Sequence, residues 1–174
     1  MADNELVIEE AQMCDAPAIK MFLDEVSQET SFIINDGQDI SVEDLQNALS
    51  FSLNSLNRIC LLAKVNDNII GMVNVTSSDE FNFNHVGDLF IAVKQAYSGH
   101  GVGHYLMELV CDWAEHSPQI KRLELSVQTR NTRAIKLYQD FGFEIEGEKK
   151  AALKLDEDTY LNLLMMSKLI GNIK

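Results

Sequence analysis

One transition constrains this chain most: an apolar run leads into a glycine-rich loop within LFIAVKQAYSGHGVGHYL, residues 89–106. The apolar run predicts a strand, and an amphipathic helix follows the loop at once. Gly99, Gly101 and Gly103 alternate in the loop. Glycine permits positive φ and close approach to a ligand, and the first turn of a helix offers free N–H groups to an anion. The segment therefore predicts a phosphate-bearing ligand, although an ordinary strand-to-helix turn is the simpler alternative.

Hydrophobic periodicity and turn residues predict the other elements. Asp15 is expected to cap a first helix, and Ser41 with Asp44 resembles a capping box that opens a second. Residues 66–68 predict a hairpin turn. The chain is therefore expected to form one α+β domain over residues 1–174, layered, with a mixed, mostly antiparallel twisted sheet of about seven strands and about four helices. Strands are predicted at 6–10, 58–65, 69–77, 86–93, 122–127, 143–148 and 160–169, and helices at 15–26, from 41, from 102 and at 131–141.

Composition narrows the class of partner. The formal net charge of −13 disfavours nucleic acid and anionic membranes, and it fits a cationic partner or simply solubility. Cys14, Cys60 and Cys111 show no metal-binding spacing, so we expect neither a metal site nor a disulfide framework, and a cytoplasmic location. Residues 1–10 lack the pattern of a signal peptide, and no apolar run approaches the ~20 residues that span a bilayer.

Two common phosphate-binding motifs fit the glycine loop poorly. A P-loop needs Lys and Ser/Thr after its last glycine, but His104 and Tyr105 follow Gly103. A dinucleotide fingerprint would place its third glycine at position 104 or 106, and position 106 is Leu106. Glu124 does lie about 20 residues downstream, where a ribose ligand is expected. The hairpins that precede the loop leave the dinucleotide interpretation as a minor alternative.

Two segments resemble one known family. VKQAYSGHGVGHYL resembles motif A of the GNAT family of N-acetyltransferases, Arg/Gln-x-x-Gly-x-Gly/Ala, and LELSVQTRNTRAIKLYQDFGFEIEG resembles the family's second motif. They occur in the family's order, 28 residues apart from Gly103 to Asn131. The resemblance implies a GNAT-like domain that uses acetyl-CoA as cosubstrate, with a cofactor-binding core at about residues 86–148. It departs from the pattern at Ser98, where Arg or Gln is usual.

The resemblance also implies roles for individual residues. Backbone groups of Ile91 and Val93 would bind the pantetheine arm, and Tyr138 would act as general acid for the departing thiolate. Asn131 and Ala134 would lie at the cofactor. More simply, Asn131 could be only a helix cap and Ala134 only a good helix former. The simpler interpretation of Tyr138 is a tyrosine of the core. With no Arg or Gln at position 98, binding would depend on backbone N–H groups, with Lys94 or Gln95 as substitutes. The pyrophosphate would lie against Ser98, Gly99, His100, Gly101, Val102 and Gly103.

The general base is harder to identify. A lysine-like amine with a pKa of about 10.4 is only about 0.04% neutral at pH 7, so a base is useful. Some relatives carry a glutamate base where this chain has Ser126. Glu124, Asp88 and His85 are the candidates nearby, acting directly or through water, although each also suits an ordinary strand or rim position. In the connector between the first two helices, Phe32, Asp36 and Asp39 could hold a cationic amine or could be solvated loop residues.

These features predict an enzyme that moves an acetyl group from acetyl-CoA to a primary amine by direct attack. The acceptor classes left open are a protein N-terminus, a lysine, a polyamine and a small amine metabolite. No Ser-His-Asp or Cys-His arrangement suggests an acyl-enzyme. The alternative is a non-catalytic acyl-CoA-binding or sensing domain with the same fold. The expected partner is an amine-bearing acceptor, and a cationic acceptor fits the negative net charge of the chain. A homodimer is left open.

Overall fold

The computed structural model describes residues 5–33 and 40–173, which form a seven-stranded sheet with four α-helices. This confirms the predicted α+β class. Short 3-10 turns precede the first helix and follow the fourth strand. The strands are β1 Leu6–Glu10, β2 Ile59–Val65, β3 Asn68–Thr76, β4 Val86–Val93, β5 Arg122–Gln128, β6 Glu144–Lys154 and β7 Tyr160–Leu169, and the helices are α1 Ala16–Glu29, α2 Val42–Leu53, α3 Val102–His116 and α4 Thr132–Asp140.

The sheet opens between two of its central strands. Its order is β1-β2-β3-β4-β5-β7-β6, and every neighbouring pair is antiparallel except β4 and β5. The parallel pairing of β4 with β5 runs only from Val86–Arg122 to Asp88–Glu124. Beyond that point, β4 pairs with β3 alone and β5 with β7 alone. A gap between two splayed strands therefore lies in the middle of the sheet.

Two apolar layers cover the faces of the sheet. On one face, Leu89 belongs to the core that contains the buried side of α3, and Ile91 and Val93 pack against it. On the other face, Ala92 joins a second core with α1 and α2, against which Phe90 packs. This division follows from the alternation of side chains along a strand, and it confirms the layered arrangement.

The two predicted helix caps have different outcomes. The capping box of α2 is confirmed: Asp44 N–H donates to Ser41 Oγ at 3.0 Å, and the Asp44 carboxylate accepts from Ser41 N–H at 3.3 Å. Asp15 is the N-cap residue of α1 as predicted, but its side chain accepts no capping hydrogen bond from the helix. Its carboxylate instead accepts from Gln12 N–H at 2.7 Å and pairs with Lys64 at 2.8 Å. Since an ion pair with β2 competes for the carboxylate, the cap is lost.

Several boundaries differ from those predicted. The first hairpin turn consists of two residues, Asn66 and Asp67, both at positive φ, and β3 begins at the next residue. Strand β6 continues to Lys154 rather than ending at 148, because it pairs along β7 with two register shifts. As an edge strand, it shows no apolar alternation to mark its length. In the described part of the chain, no helix is long and apolar enough to cross a membrane.

Candidate active site

The gap beside β4 exposes one side of the strand's backbone. Ile91 and Val93 lie on the stretch that has lost β5, and their side chains pack into the α3 core. Only their backbone groups therefore remain for a ligand. Unpaired strand N–H and C=O groups need partners, and an extended ligand chain can supply them as an added strand would. The gap therefore leaves the backbone of β4 open to an extended ligand chain.

The loop after β4 leads into the N-terminus of α3. Gly99 and Gly101 have φ values of 87° and 85°, a region in which other residues are strained. Gly101 is the N-cap of α3 and offers no side chain to it. Within the described residues, the backbone N–H groups of positions 101–104 donate to no other group. His100 is exposed beside them, whereas the Val102 side chain is buried in the core, so only its backbone faces the loop. The arrangement suits an anion.

Gly103 differs from the two glycines before it. It lies inside α3, and a Cβ at this position would make ordinary contacts, 3.6 Å from Leu137 and 3.8 Å from Val93. The protein itself therefore has room for an alanine here, although glycine costs a helix roughly 1 kcal/mol. The packing around position 103 therefore does not require a glycine.

A residue that the sequence analysis missed contacts the same loop. Arg133 Nη1 donates to Ser98 Oγ at 2.6 Å. One substitute proposed for an Arg or Gln at position 98 is tied elsewhere, because the Lys94 ammonium pairs with Glu25. The Gln95 backbone N–H donates to Glu29 at 2.8 Å, a bond that does not involve the Gln95 side chain. Only the separation of 35 residues hides the contact between Arg133 and Ser98 in the sequence.

Helix α4 and its N-cap residue carry three of the predicted site residues. Asn131 Oδ1 accepts from Ala134 N–H at 3.2 Å, so the capping interpretation is confirmed. Ala134 packs against the α3 core. Tyr138 is 8% exposed, with its ring 6.0 Å from that of Phe143. Desolvation raises the pKa of Tyr138 to about 12, and its hydroxyl has no hydrogen-bond partner among the described residues. The hydroxyl thus keeps its proton and remains available to a ligand.

Two carboxylates lie at the closed end of the gap. Burial raises the pKa of the Asp88 carboxyl, and the charge of Glu124 raises it further. Glu124 Oε2 is bound by Arg122 Nε at 2.9 Å, whereas Asp88 makes no ion pair among the described residues. Asp88 is therefore the freer carboxylate, and His85 does not line the cavity beside it. That cavity, of about 490 Å³, is lined by Thr76, Ser77, Ser78, Phe83, Val86, Asp88 and Glu124.

The connector after α1 is tied to the end of β5. Gln128 Nε2 donates to the carbonyls of Ser31 at 2.8 Å and Phe32 at 3.3 Å. The Arg130 guanidinium lies 5.1 Å from the centre of the Phe32 ring. Asp36 and Asp39, the other residues predicted for the acceptor, lie outside the described residues.

The remaining side chains of interest do not form a catalytic group. Ser126, where some relatives carry a glutamate, donates its hydroxyl to Met165 Sδ at 3.2 Å. Cys60 and Cys111 are buried, Cys14 is exposed, and none of the three forms a disulfide. Across residues 5–33 and 40–173, no three metal-binding side chains lie together.

The chain matches one family model and several known proteins. The family model described as the acetyltransferase (GNAT) family matches residues 17–143. The chain is 33% identical to the L-amino acid N-acetyltransferase AaaT of Escherichia coli over 98 residues, which cover 56% of this chain and 60% of that protein. It is 34% identical to the spermine/spermidine N(1)-acetyltransferase of Bacillus subtilis over 56 residues, 32% of this chain and 37% of that protein. The aligned stretches therefore span less than two thirds of these relatives.

Solved structures match over nearly the whole chain. A GNAT-family acetyltransferase from Streptococcus pneumoniae superposes with a TM-score of 0.90 at 39% identity, covering 96% of this chain and all of that one. The putative acetyltransferase yncA from Salmonella typhimurium, solved with acetyl-CoA, gives a TM-score of 0.85 at 18% identity, covering 98% and 96%. The second likeness concerns the fold alone.

Proposed function

The chain belongs to the acetyltransferase (GNAT) family, and from that premise we propose that it transfers the acetyl group of acetyl-CoA to a primary amine. One observation carries the proposal: the β4–β5 gap has free helix N–H groups at its open end and a free carboxylate at its closed end. Strands rise about 3.3 Å per residue, so residues 89–93 span roughly 17 Å along an extended ligand. A donor and an acceptor would meet near the closed end.

The donor side uses mainly backbone groups. The N–H groups at 101–104 would bind the pyrophosphate, because they lie at a helix N-terminus and have no partner among the described residues. The backbones of Ile91 and Val93 would pair with the pantetheine arm. Asn131, whose Oδ1 is used in capping, keeps its amide N–H groups for the same arm. Ala134 is small enough for that arm to pass.

Acetyl-CoA supplies an activated thioester, and two side chains of this protein would handle the protons. Asp88 would accept a proton from the acceptor ammonium, directly or through one water, which frees the lone pair that forms the new N–C bond. Tyr138 would donate its hydroxyl proton to the sulfur as the C–S bond breaks. Its raised pKa keeps that proton in place before reaction. The nitrogen would release its second surplus proton to water, and water would reprotonate the Tyr138 phenolate. Glu124 is the weaker candidate for the base because Arg122 already holds it.

The cavity at Asp88 indicates the kind of acceptor. Asp88 and Glu124 place two carboxyl groups beside the exposed ring of Phe83, which suits an amine carrying further positive charge. A free amino acid would bring its own carboxylate against them. Among the four acceptor classes, a polyamine, or a lysine or N-terminus within a basic peptide, therefore fits best.

A thiol-release assay across an amine panel tests the proposal. The panel comprises spermidine, single L-amino acids, and peptides with either a free N-terminus or a free lysine, and acetyl-CoA binding is measured by calorimetry. We expect release with at least one cationic amine, and loss of release in Asp88→Asn with binding retained. Asp112→Asn, on the outer surface of α3, is the charge-matched control. Binding without release for every amine would instead support the non-catalytic acyl-CoA-binding alternative.

A further inference from the structure

Arg133 is an exposed cation held against the glycine loop by a neutral partner. Its Nη1 lies 2.6 Å from Ser98 Oγ, and a methyl group built on Gly99 would lie 3.5 Å from its Nη2. The guanidinium therefore covers the loop that precedes α3. It reaches there from α4, the helix that also carries Asn131 as N-cap.

Most of the hydrogen-bonding capacity of this guanidinium is unused. A guanidinium carries five N–H donors, and within the described residues Arg133 donates only to Ser98 and forms no ion pair. Lys136, one turn further along the same helix, pairs with Asp140 at 3.1 Å. Guanidinium forks bind phosphate oxygens with two parallel hydrogen bonds, which is stronger than a contact with a hydroxyl.

We propose that Arg133 binds the pyrophosphate of coenzyme A and supplies the cation that position 98 lacks. The phosphates would lie between the N–H groups at 101–104 and the free edge of the guanidinium. Ser98 acts as a positioning residue, since its hydroxyl orients Arg133. The inference rests on the proposed function, because it assumes that coenzyme A occupies the gap.

Calorimetric binding of coenzyme A to five variants tests this role. Arg133→Ala is expected to weaken binding about tenfold or more, and Arg133→Gln about as much, because the glutamine can keep a hydrogen bond to Ser98 but not the charge. Arg133→Lys should lose less. Ser98→Ala removes the hydroxyl and leaves the cation, so we expect at most about a threefold loss. Lys136→Ala, which removes one charge from the same helix, is the control and should bind as the wild type does.

A rescue experiment separates a ligand contact from a structural tie. In Ser98→Arg combined with Arg133→Ala, a cation returns to the loop, and binding should recover by several-fold over Arg133→Ala alone. Dephospho-coenzyme A, which lacks the 3′-phosphate, should show the same loss in Arg133→Ala. Disappearance of the loss with that ligand would assign Arg133 to the 3′-phosphate and overturn the proposal. Equal losses in Ser98→Ala and Arg133→Ala would also overturn it, in favour of a structural tie.

The two levels of the proposal fail in different ways. If the wild type binds coenzyme A and Arg133→Ala binds it equally well, the role of Arg133 is wrong and the proposed function stands. If the wild type itself does not bind coenzyme A, the proposed function fails.

Discussion

The Tyr138 ring is buried in the apolar α3 core, and removal of its hydroxyl isolates the role of that group. It has no hydrogen-bond partner among the described residues, so Tyr138→Phe should leave thermal stability at least as high as that of the wild type. Loss of a general acid typically costs about 100-fold or more in rate. We therefore expect kcat to fall about 100-fold with little change in KM for acetyl-CoA, measured by thiol release. An unchanged kcat in the folded variant would leave Tyr138 as a core residue.

The pair of carboxyl groups at the closed end of the gap predicts a shift in pH dependence. Asp88 must be ionised to act as a base, and the neighbouring charge of Glu124 contributes to its raised pKa. Glu124→Gln removes that repulsion, so the pKa of Asp88 should fall and the acidic limb of the kcat/KM profile should move to lower pH. Glu124→Asp keeps the charge and should leave the limb close to its wild-type position. A limb that stays in place in Glu124→Gln would argue against Asp88 as the base.

At the residue scale, the sequence predicted what local chemistry determines. The roles of Asn131 as a helix cap and of Cys60 as a buried apolar residue could be predicted from the adjacent residues in the chain. The contact between Arg133 and Ser98 depends on how α4 packs across the loop, which no local pattern contains. The same holds for Asp15, whose ion pair with Lys64 on β2 displaced its cap.

At the element scale, the glycine at position 103 lowers the stability of helix α3. Its replacement should therefore have opposite effects on stability and on binding. An alanine at position 103 would make ordinary contacts, so Gly103→Ala should raise the free energy of unfolding by about 0.5–1 kcal/mol. The added methyl group would stand where the phosphates approach the backbone, so coenzyme A binding should weaken. Denaturant unfolding and calorimetry measure the two effects.

Gly99→Ala is the matched control for this opposition. Gly99 has a φ of 87°, where a side chain is strained, so the same substitution should lower the free energy of unfolding by about 1 kcal/mol. If Gly103→Ala instead destabilised the protein and bound coenzyme A normally, the glycine would serve the fold.

Elements with a buried face were the predictable ones. Strands β2 and β3 are apolar almost throughout, and both were predicted to within a residue. Strand β6 is exposed over nearly its whole length, so nothing in its composition showed where it ends. Its last residues are strand only because β7 lies beside them.

For the molecule as a whole, the order of elements was predictable but the position of the gap was not. The apolar pattern of β4 and β5 would be the same whether their parallel pairing covered three residue pairs or seven, because both strands have side chains in the α3 core. The divergence after Asp88 is a property of the packed sheet, visible only in its pairing. Only the family resemblance implied where the ligand would enter.

Hydrogen exchange measured residue by residue by NMR tests this gap in the intact protein. In an antiparallel pair, alternate residues exchange hydrogen bonds with the neighbouring strand, and those between them face away. Of the amides at 89–93, roughly half should therefore be protected by β3 already and half should face the gap. Acetyl-CoA should slow exchange at the second set and at 101–104.

The size and pattern of the protection distinguish direct contact of the ligand with β4 from stabilisation of the whole fold. A ligand at 100 times its Kd stabilises the whole fold by about 2.7 kcal/mol, which slows every amide that exchanges through global unfolding. Amides of β1 and β2, remote from the gap, report that global share alone. Alternating extra protection along β4 would mean that the ligand pairs with the strand. Uniform protection equal to that of β1 and β2 would contradict it, because a ligand lying in the gap must satisfy the N–H groups that β5 leaves free.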